Sequence, residues 1–150
     1  MPSAEHSVTI RRPAEVVFAY VADGERCPEW RRGVLDIERI SGEGVGAVYR
    51  QGVAGPLGRR LAADYRITTF EPGRLIEFET TAGPARPRGR YEFMDVPEGT
   101  RLTFMLSADL TGLGRLFVSR AVQRTMEAEV QAIERIKQIL EADAVESPFG

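Results

Sequence analysis

From Val34 to Leu110 the hydrophobic pattern repeats every second residue, and after Gly114 it repeats every three to four. A period of two marks a strand with one buried face, and a period near 3.6 marks an amphipathic helix. That switch confines the chain to a sheet followed by one long helix. Strands are expected near 34–40, 46–53, 61–70, 74–82, 88–95 and 100–110. Between them stand Ser41-Gly-Glu-Gly, Gly55-Pro-Leu-Gly, Glu71-Pro-Gly, Gly83-Pro and Pro97-Glu-Gly, all turn formers. Connections this short join antiparallel neighbours, whereas parallel strands need a crossover of about a dozen residues or more. The last strand alternates most cleanly. Leu102, Phe104, Leu106, Ala108 and Leu110 face one way; Arg101, Thr103, Ser107 and Asp109 face the other. Tyr91 and Phe93, then Ile76, Phe78 and Thr80, continue the apolar face of a sheet that is wet on its other side.

Ahead of this sheet, His6, Val8 and Ile10 alternate through a short first strand over Glu5–Ile10. Pro13 opens a helix, where its fixed φ and missing N–H do no harm. Val16, Val17, Tyr20 and Val21 give that helix one apolar face. Asp23 is placed to cap a second short helix by accepting from the amide of Glu25 or Arg26. That helix carries Cys27 and Trp30 and stops at Gly33. At the other end, Gly112 and Gly114 precede a helix over 115–142, about 40 Å long at ~1.5 Å per residue. Its stripe is Val118, Val122, Met126, Ile133, Ile136 and Leu140, and residues 144–150 are expected to fray.

A chain of 150 residues suits one domain, 1–150, with a real core. No apolar run is long enough to cross a bilayer. The first residues show neither a basic region nor an apolar one, so no secretory signal is visible. Cys27 is the only cysteine, which excludes an internal disulfide and a cysteine-based zinc site. A cytoplasmic location is the simplest reading. The net charge of −2 supplies no basic field for nucleic acid. Lys137 is the only lysine; the arginine bias reads as a GC-rich, bacterial-like genome composition.

The order is strand, two helices, six strands, long helix. Ile10-Arg-Arg-Pro-Ala-Glu-Val-Val-Phe, Asp23-Gly-Glu-Arg-Cys-Pro-Glu-Trp30, Gly44-Val-Gly-Ala-Val-Tyr-Arg50, Phe70-Glu-Pro-Gly-Arg-Leu-Ile-Glu-Phe78, Gly99-Thr-Arg-Leu-Thr103 and Ile136-Lys-Gln-Ile-Leu-Glu141 follow one another in that frame. Together they resemble the START-like (SRPBCC) superfamily of the polyketide cyclase/dehydrase type. The resemblance implies an α+β helix-grip fold, β-α-α-β6-α, with a curved antiparallel sheet around a long C-terminal helix. It implies a small hydrophobic or aromatic ligand, polyketide- or lipid-like, held between sheet and helix. Any enzyme activity would be a cofactor-independent cyclisation or dehydration. A non-catalytic carrier or sensor, and a protein-interaction module of the chaperone-activator type, are the alternatives. No cofactor, metal, nucleic acid or membrane span is expected; a homodimer is left open.

Few residues offer chemistry. Gly42-Glu-Gly-Val-Gly46 precedes a strand, not the helix N-terminus that a dinucleotide site needs. Gly55-Pro-Leu-Gly58 lacks the Gly-Lys-Ser/Thr of a phosphate loop; both read as hairpin connections, and the second stands where it can gate a cavity. His6 is the only histidine, so a multi-histidine metal site is excluded, and its strand position favours a structural role. Cys27 reads as a packed thiol. On the wet face Arg66, Glu77 and Glu79 read as solvated ion pairs, and Arg86, Arg88 and Arg90 as a solvated basic cluster.

The ligand-binding candidates are Trp30, Tyr49, Tyr65, Phe78, Tyr91, Phe93, Phe104 and Met126. Trp30 matches the superfamily's tryptophan, as an anchor for the short helix and as a cavity wall. Tyr49, Tyr65 and Tyr91 fall at inward strand positions, either as cavity donors or as core tyrosines. Glu129 is the candidate catalytic residue. At ~100° per residue it falls within the apolar arc of Val118, Val122, Ile133, Ile136 and Leu140. One turn away stand Thr125, Met126, Ala132 and Ile133, none of them basic. Glu127 and Glu134 project instead to the polar side, near Arg124 and Lys137. A carboxyl facing an apolar interior must be paired, hydrogen-bonded or neutral, and a neutral one suits a general acid. Glu129 is therefore expected to anchor a ligand hydroxyl or donate a proton, with Tyr65 or Tyr91. The alternative is a rim position bonded to a sheet arginine.

Overall fold

The computed structural model describes residues 3–83, 86–108 and 115–146. The elements run β1 (Ser3–Ile10), α1 (Ala14–Ala22), a 3-10 turn (Gly24–Arg26) leading into α2 (Cys27–Trp30), β2 (Val34–Ser41), β3 (Val48–Ala54), a second 3-10 turn (Pro56–Gly58), β4 (Arg60–Ala62), β5 (Tyr65–Glu71), β6 (Leu75–Thr80), β7 (Arg88–Val96), β8 (Gly99–Ser107), α3 (Arg115–Gln131) and α4 (Ile133–Glu146). All strand pairs are antiparallel, in the order β1-β8-β7-β6-β5-β3-β2, with β4 beside β3. This is the α+β helix-grip arrangement, with a curved sheet around the C-terminal helices. The Asp23 carboxylate accepts from the Glu25 amide at 3.2 Å, as its capping position requires.

Two expected elements are interrupted. The strand expected over 61–70 is split into β4 and β5 by a gap in the ladder at Ala63 and Asp64, with the register against β3 unchanged across it. There the Ala63 amide donates to the Gln51 carbonyl (2.8 Å), and the Gln51 amide donates to the Asp64 carboxylate (3.1 Å). The Gln51 side chain is buried and donates to the Ala63 carbonyl (3.1 Å).

The long helix breaks at Ala132, where i→i−3 bonds join Ala132 to Glu129 (3.1 Å) and Arg135 to Ala132 (3.0 Å). No proline or glycine stands there. The break falls where the helix passes from a hollow to solid core. Val122, Met126 and Glu129 line a cavity, whereas Ile133 and Ile136 are fully buried. Burying each such side chain contributes roughly 1.5–3 kcal/mol. Val130, absent from the expected stripe, is buried too. α4 extends to Glu146, a few residues past the expected end at 142. Leu110, Asp109, Gly112, Gly114, Pro84, the Val118 side chain and residues 147–150 lie outside the described part of the structure.

The helices are held in register by the free edge of β1. The Gln123 side chain donates to the Ser3 carbonyl (2.6 Å) and accepts from its amide (3.0 Å), in the manner of a neighbouring strand. Lys137 Nζ donates to the Thr9 carbonyl (2.7 Å), and Glu141 accepts from the Arg11 amide (2.9 Å). An edge satisfied this way offers little to a foreign strand. His6 is structural: its Nε2 lies 2.8 Å from Glu134 Oε1. Glu134 thus turns towards β1 and away from Lys137, which pairs with Glu141 (2.8 Å). Glu127 accepts from Gln123 (2.9 Å), not from Arg124. On the wet face Arg66 pairs with Glu79, and Arg90 with Glu77 and Glu92. These are exposed pairs, typically worth about 0–1 kcal/mol.

Candidate functional site

Five adjacent strands each contribute one aromatic ring to the concave face: Phe104 from β8, Tyr91 from β7, Phe78 from β6, Tyr65 from β5 and Tyr49 from β3. The rings form a continuous floor. Tyr91 stacks on Phe104 with centroids 4.3 Å apart, and Tyr49 on Tyr65 at 4.8 Å. Phe78 bridges the two pairs, 5.9 Å from Tyr91 and 5.4 Å from Tyr65.

Two glycines make the floor possible. Gly89 lies opposite Phe78, and a Cβ there would come within 2.1 Å of the Phe78 ring. Gly24, in the first 3-10 turn, lies so close that a Cβ would meet the Tyr65 hydroxyl at 2.5 Å and the Tyr49 ring at 2.6 Å. Each missing side chain is thus a space that an aromatic ring fills.

Between this floor and α3 is a cavity of about 500 Å³. That lies in the range of small-molecule sites, roughly 300–1,000 Å³. Val21, Ile67, Phe70, Ile76, Leu106, Val122 and Met126 make its walls mostly apolar. One polar cluster interrupts them. Arg31, just past α2, donates from Nε to Glu129 Oε2 (2.8 Å) and from Nη1 to Gln51 Oε1 (3.0 Å). The Arg31 and Glu129 side chains are only 14% and 24% exposed. Burial is the largest single influence on the Arg31 pKa and depresses it, but Glu129, Cys27 and Tyr91 together outweigh that and raise it. Cys27 and the Tyr65 hydroxyl border the same cluster. Burial pushes the Cys27 thiol up and holds the Tyr65 and Tyr91 hydroxyls well above the usual phenol range. At neutral pH the cluster therefore presents protonated donors and one paired carboxylate. Among the described residues no group of three His, Cys, Asp or Glu side chains is placed to hold a metal ion.

A model of the family described as polyketide cyclase / dehydrase and lipid transport matches residues 1–140. The chain belongs to that family. Solved structures share the fold of this polyketide cyclase/dehydrase-family domain. A protein of Thermus thermophilus is 20% identical with a TM-score of 0.81, over 95% of this chain and 99% of that one. A START superfamily protein of Mycobacterium smegmatis is 18% identical with a TM-score of 0.70, over 92% and 98%. The di-domain ARO/CYC StfQ from the steffimycin biosynthetic pathway is 15% identical with a TM-score of 0.80, over 95% of this chain and 52% of that one. No curated protein matches.

The family domain brings most of its expected site residues together. Tyr49, Tyr65, Phe78, Tyr91, Phe104, Met126 and Glu129 all line the cavity. Trp30 and Phe93 do not. Trp30 is buried behind the wall, its ring edge-on to Tyr91 and Phe104, each at 6.4 Å. Phe93 packs edge-on to Phe18 of α1 at 5.0 Å, beneath that helix. Phe93 points inward but α1 covers its part of the sheet, whereas Trp30, on α2, packs from that helix against the back of the floor rings. Glu129 faces the hollow as expected, yet it is ion-paired, with the partner supplied by the end of α2 and not by the sheet.

Arg31 and Gln51 are additions to the expected site, and Arg86, expected in a solvated basic cluster, is solvated but also reaches the cavity lining. Gln51 carried a signal: a glutamine in phase with Tyr49 on an inward face. Arg31 follows Cys27 by one helical turn, but nothing local aims it at a residue nearly a hundred positions away. Arg86 is exposed on the β6–β7 turn and is held at φ 44°. Of the two loops set aside as hairpins, the second touches the cavity through Gly55, while Leu57 at its tip is 96% exposed.

Proposed function

We propose that this domain binds a small hydrophobic or aromatic molecule, polyketide- or lipid-like in character, in the cavity between the sheet and α3. The observation that carries the reading is the 500 Å³ hollow over an aromatic floor with a single polar cluster. An apolar pocket with a few directed polar groups is the usual form of a small-molecule site. A protein-interaction module would have a filled interior and an exposed apolar face instead. In this reading the aromatic floor and Met126 hold the body of the ligand. Arg31 and the tyrosine hydroxyls hold an oxygen at one end, and the second Glu129 oxygen accepts from a ligand hydroxyl.

Binding is better supported than catalysis. Cyclisation and dehydration need a proton donor and an acceptor in reach of the reacting carbons. Glu129, the only carboxylate lining the cavity among the described residues, is engaged by Arg31. The test is native mass spectrometry of the protein purified from its own host, followed by extraction and identification of what it carries, alongside titration with an apolar fluorophore. A copurifying apolar compound, displaced by the fluorophore, is expected. No bound organic molecule together with no saturable fluorophore uptake would overturn the reading.

A further inference from the structure

We infer that the cavity selects an uncharged oxygen function, a ketone carbonyl or a phenol, over a carboxylate, and that Glu129 sets this selectivity. The inference rests on the ligand-binding reading and adds the chemical class of the polar end.

The reasoning starts from Arg31. A guanidinium has five N–H donors. Two are committed, one to Glu129 Oε2 and one to Gln51 Oε1, and the Gln51 amide is itself tied to the Ala63 carbonyl. The Cys27 thiol also takes a hydrogen bond from the guanidinium, and the donors beyond these contacts are the ones that can meet a ligand oxygen where Arg31 lines the cavity. The positive charge is not free, because Glu129 neutralises it at 2.8 Å. Around the pair stand only neutral groups: Gln51, the Cys27 thiol, and the Tyr65 and Tyr91 hydroxyls, the last three kept protonated by burial. Arg86 is the third charged residue on the lining, but it is exposed on the β6–β7 turn and screened by water.

A ligand carboxylate at Arg31 would lose its hydration and lie beside the Glu129 carboxylate, with no uncompensated cation to receive it. A carbonyl or phenol loses far less on desolvation and needs only dipolar partners. The site therefore offers donors without net charge.

The experiment compares 2-naphthol and 2-naphthoate, which share one ring system and differ in charge at neutral pH. Affinities are measured by calorimetry on the wild-type chain, on Glu129→Gln, and on the double variant Arg31→Gln/Glu129→Gln, each checked for folding by near-ultraviolet circular dichroism. Wild type is expected to prefer 2-naphthol by about tenfold or more, equivalent to ~1.4 kcal/mol. Glu129→Gln leaves Arg31 unpaired, and 2-naphthoate should gain about tenfold, closing or reversing the preference. The double variant removes both charges and is the safer fold. It should keep the preference for 2-naphthol while binding it more weakly than wild type. Equal binding of the two probes by wild type, an unchanged ratio in Glu129→Gln, or full-strength naphthol binding by the double variant would each overturn the inference and leave the ligand-binding reading standing. If the folded wild type takes up neither probe, the reading fails and the inference with it.

Discussion

Glu129 and Arg31 meet at 2.8 Å across the cavity wall, tying the last turn of α3 to the residue that ends α2. The pair joins segments nearly a hundred residues apart and is mostly shielded from water. Removing one partner strands the other. Glu129→Ala should lower unfolding free energy by about 3 kcal/mol, near the lower end for broken buried pairs. Replacing both, as Arg31→Met with Glu129→Leu, should restore most of it. Urea denaturation of the two variants measures this. A loss under about 0.5 kcal/mol in Glu129→Ala would show that the pair is solvated like a surface one.

Trp30 stands behind the cavity wall and supports Tyr91 and Phe104 edge-on. Trp30→Ala should destabilise the fold by ~3–5 kcal/mol, as for other buried aromatic truncations. Trp30→Phe, which keeps the packing, should retain both stability and fluorophore affinity. A stable Trp30→Ala protein that fails only in binding would move Trp30 onto the ligand surface.

Gly89 is the space that Phe78 occupies. Gly89→Ala should force the Phe78 ring into the cavity. The expected result is a loss of ~1–3 kcal/mol in stability from overpacking, with weaker uptake of a bulky apolar fluorophore. Calorimetry and equilibrium unfolding read the two effects separately. Unchanged uptake would place the ligand away from Phe78.

The cavity also predicts how stability depends on alkaline pH. Burial raises the pKa of Cys27, Tyr65 and Tyr91 in the folded chain, whereas ordinary values are 9.0 for the thiol and 10.0 for the phenols. Above those values the unfolded chain releases protons that the folded chain keeps. Folded protein then binds more protons than unfolded, so stability falls as pH rises. The loss should begin near pH 9, continue through about pH 10–11, and be shallower in Tyr65→Phe. Urea midpoints measured from about pH 7 to 11 follow it; a flat profile would mean that these groups titrate freely in the native state.

The order of elements was legible in the sequence because it depends on local periodicity. Alternation placed Tyr49, Tyr65, Tyr91 and Phe104 on the inner face, and helical phase turned Glu129 and Met126 towards it. Covering is a property of the assembled layers, so alternation could not tell that Phe93 would be hidden under α1 while Phe78 stayed open, nor could local sequence tell that Trp30 on α2 would back the floor instead of lining the hollow. The gap at Ala63 and Asp64 replaces a ladder bond with one from the Gln51 amide to the Asp64 side chain. The break at Ala132 comes with no residue that prefers one. Neither leaves a local mark. The pairing of Arg31 with Glu129 belongs wholly to tertiary structure. Each residue alone reads as an ordinary charge near an apolar surface. Only the packing of α2 and α3 over one sheet brings them within hydrogen-bonding distance and makes the polar cluster neutral.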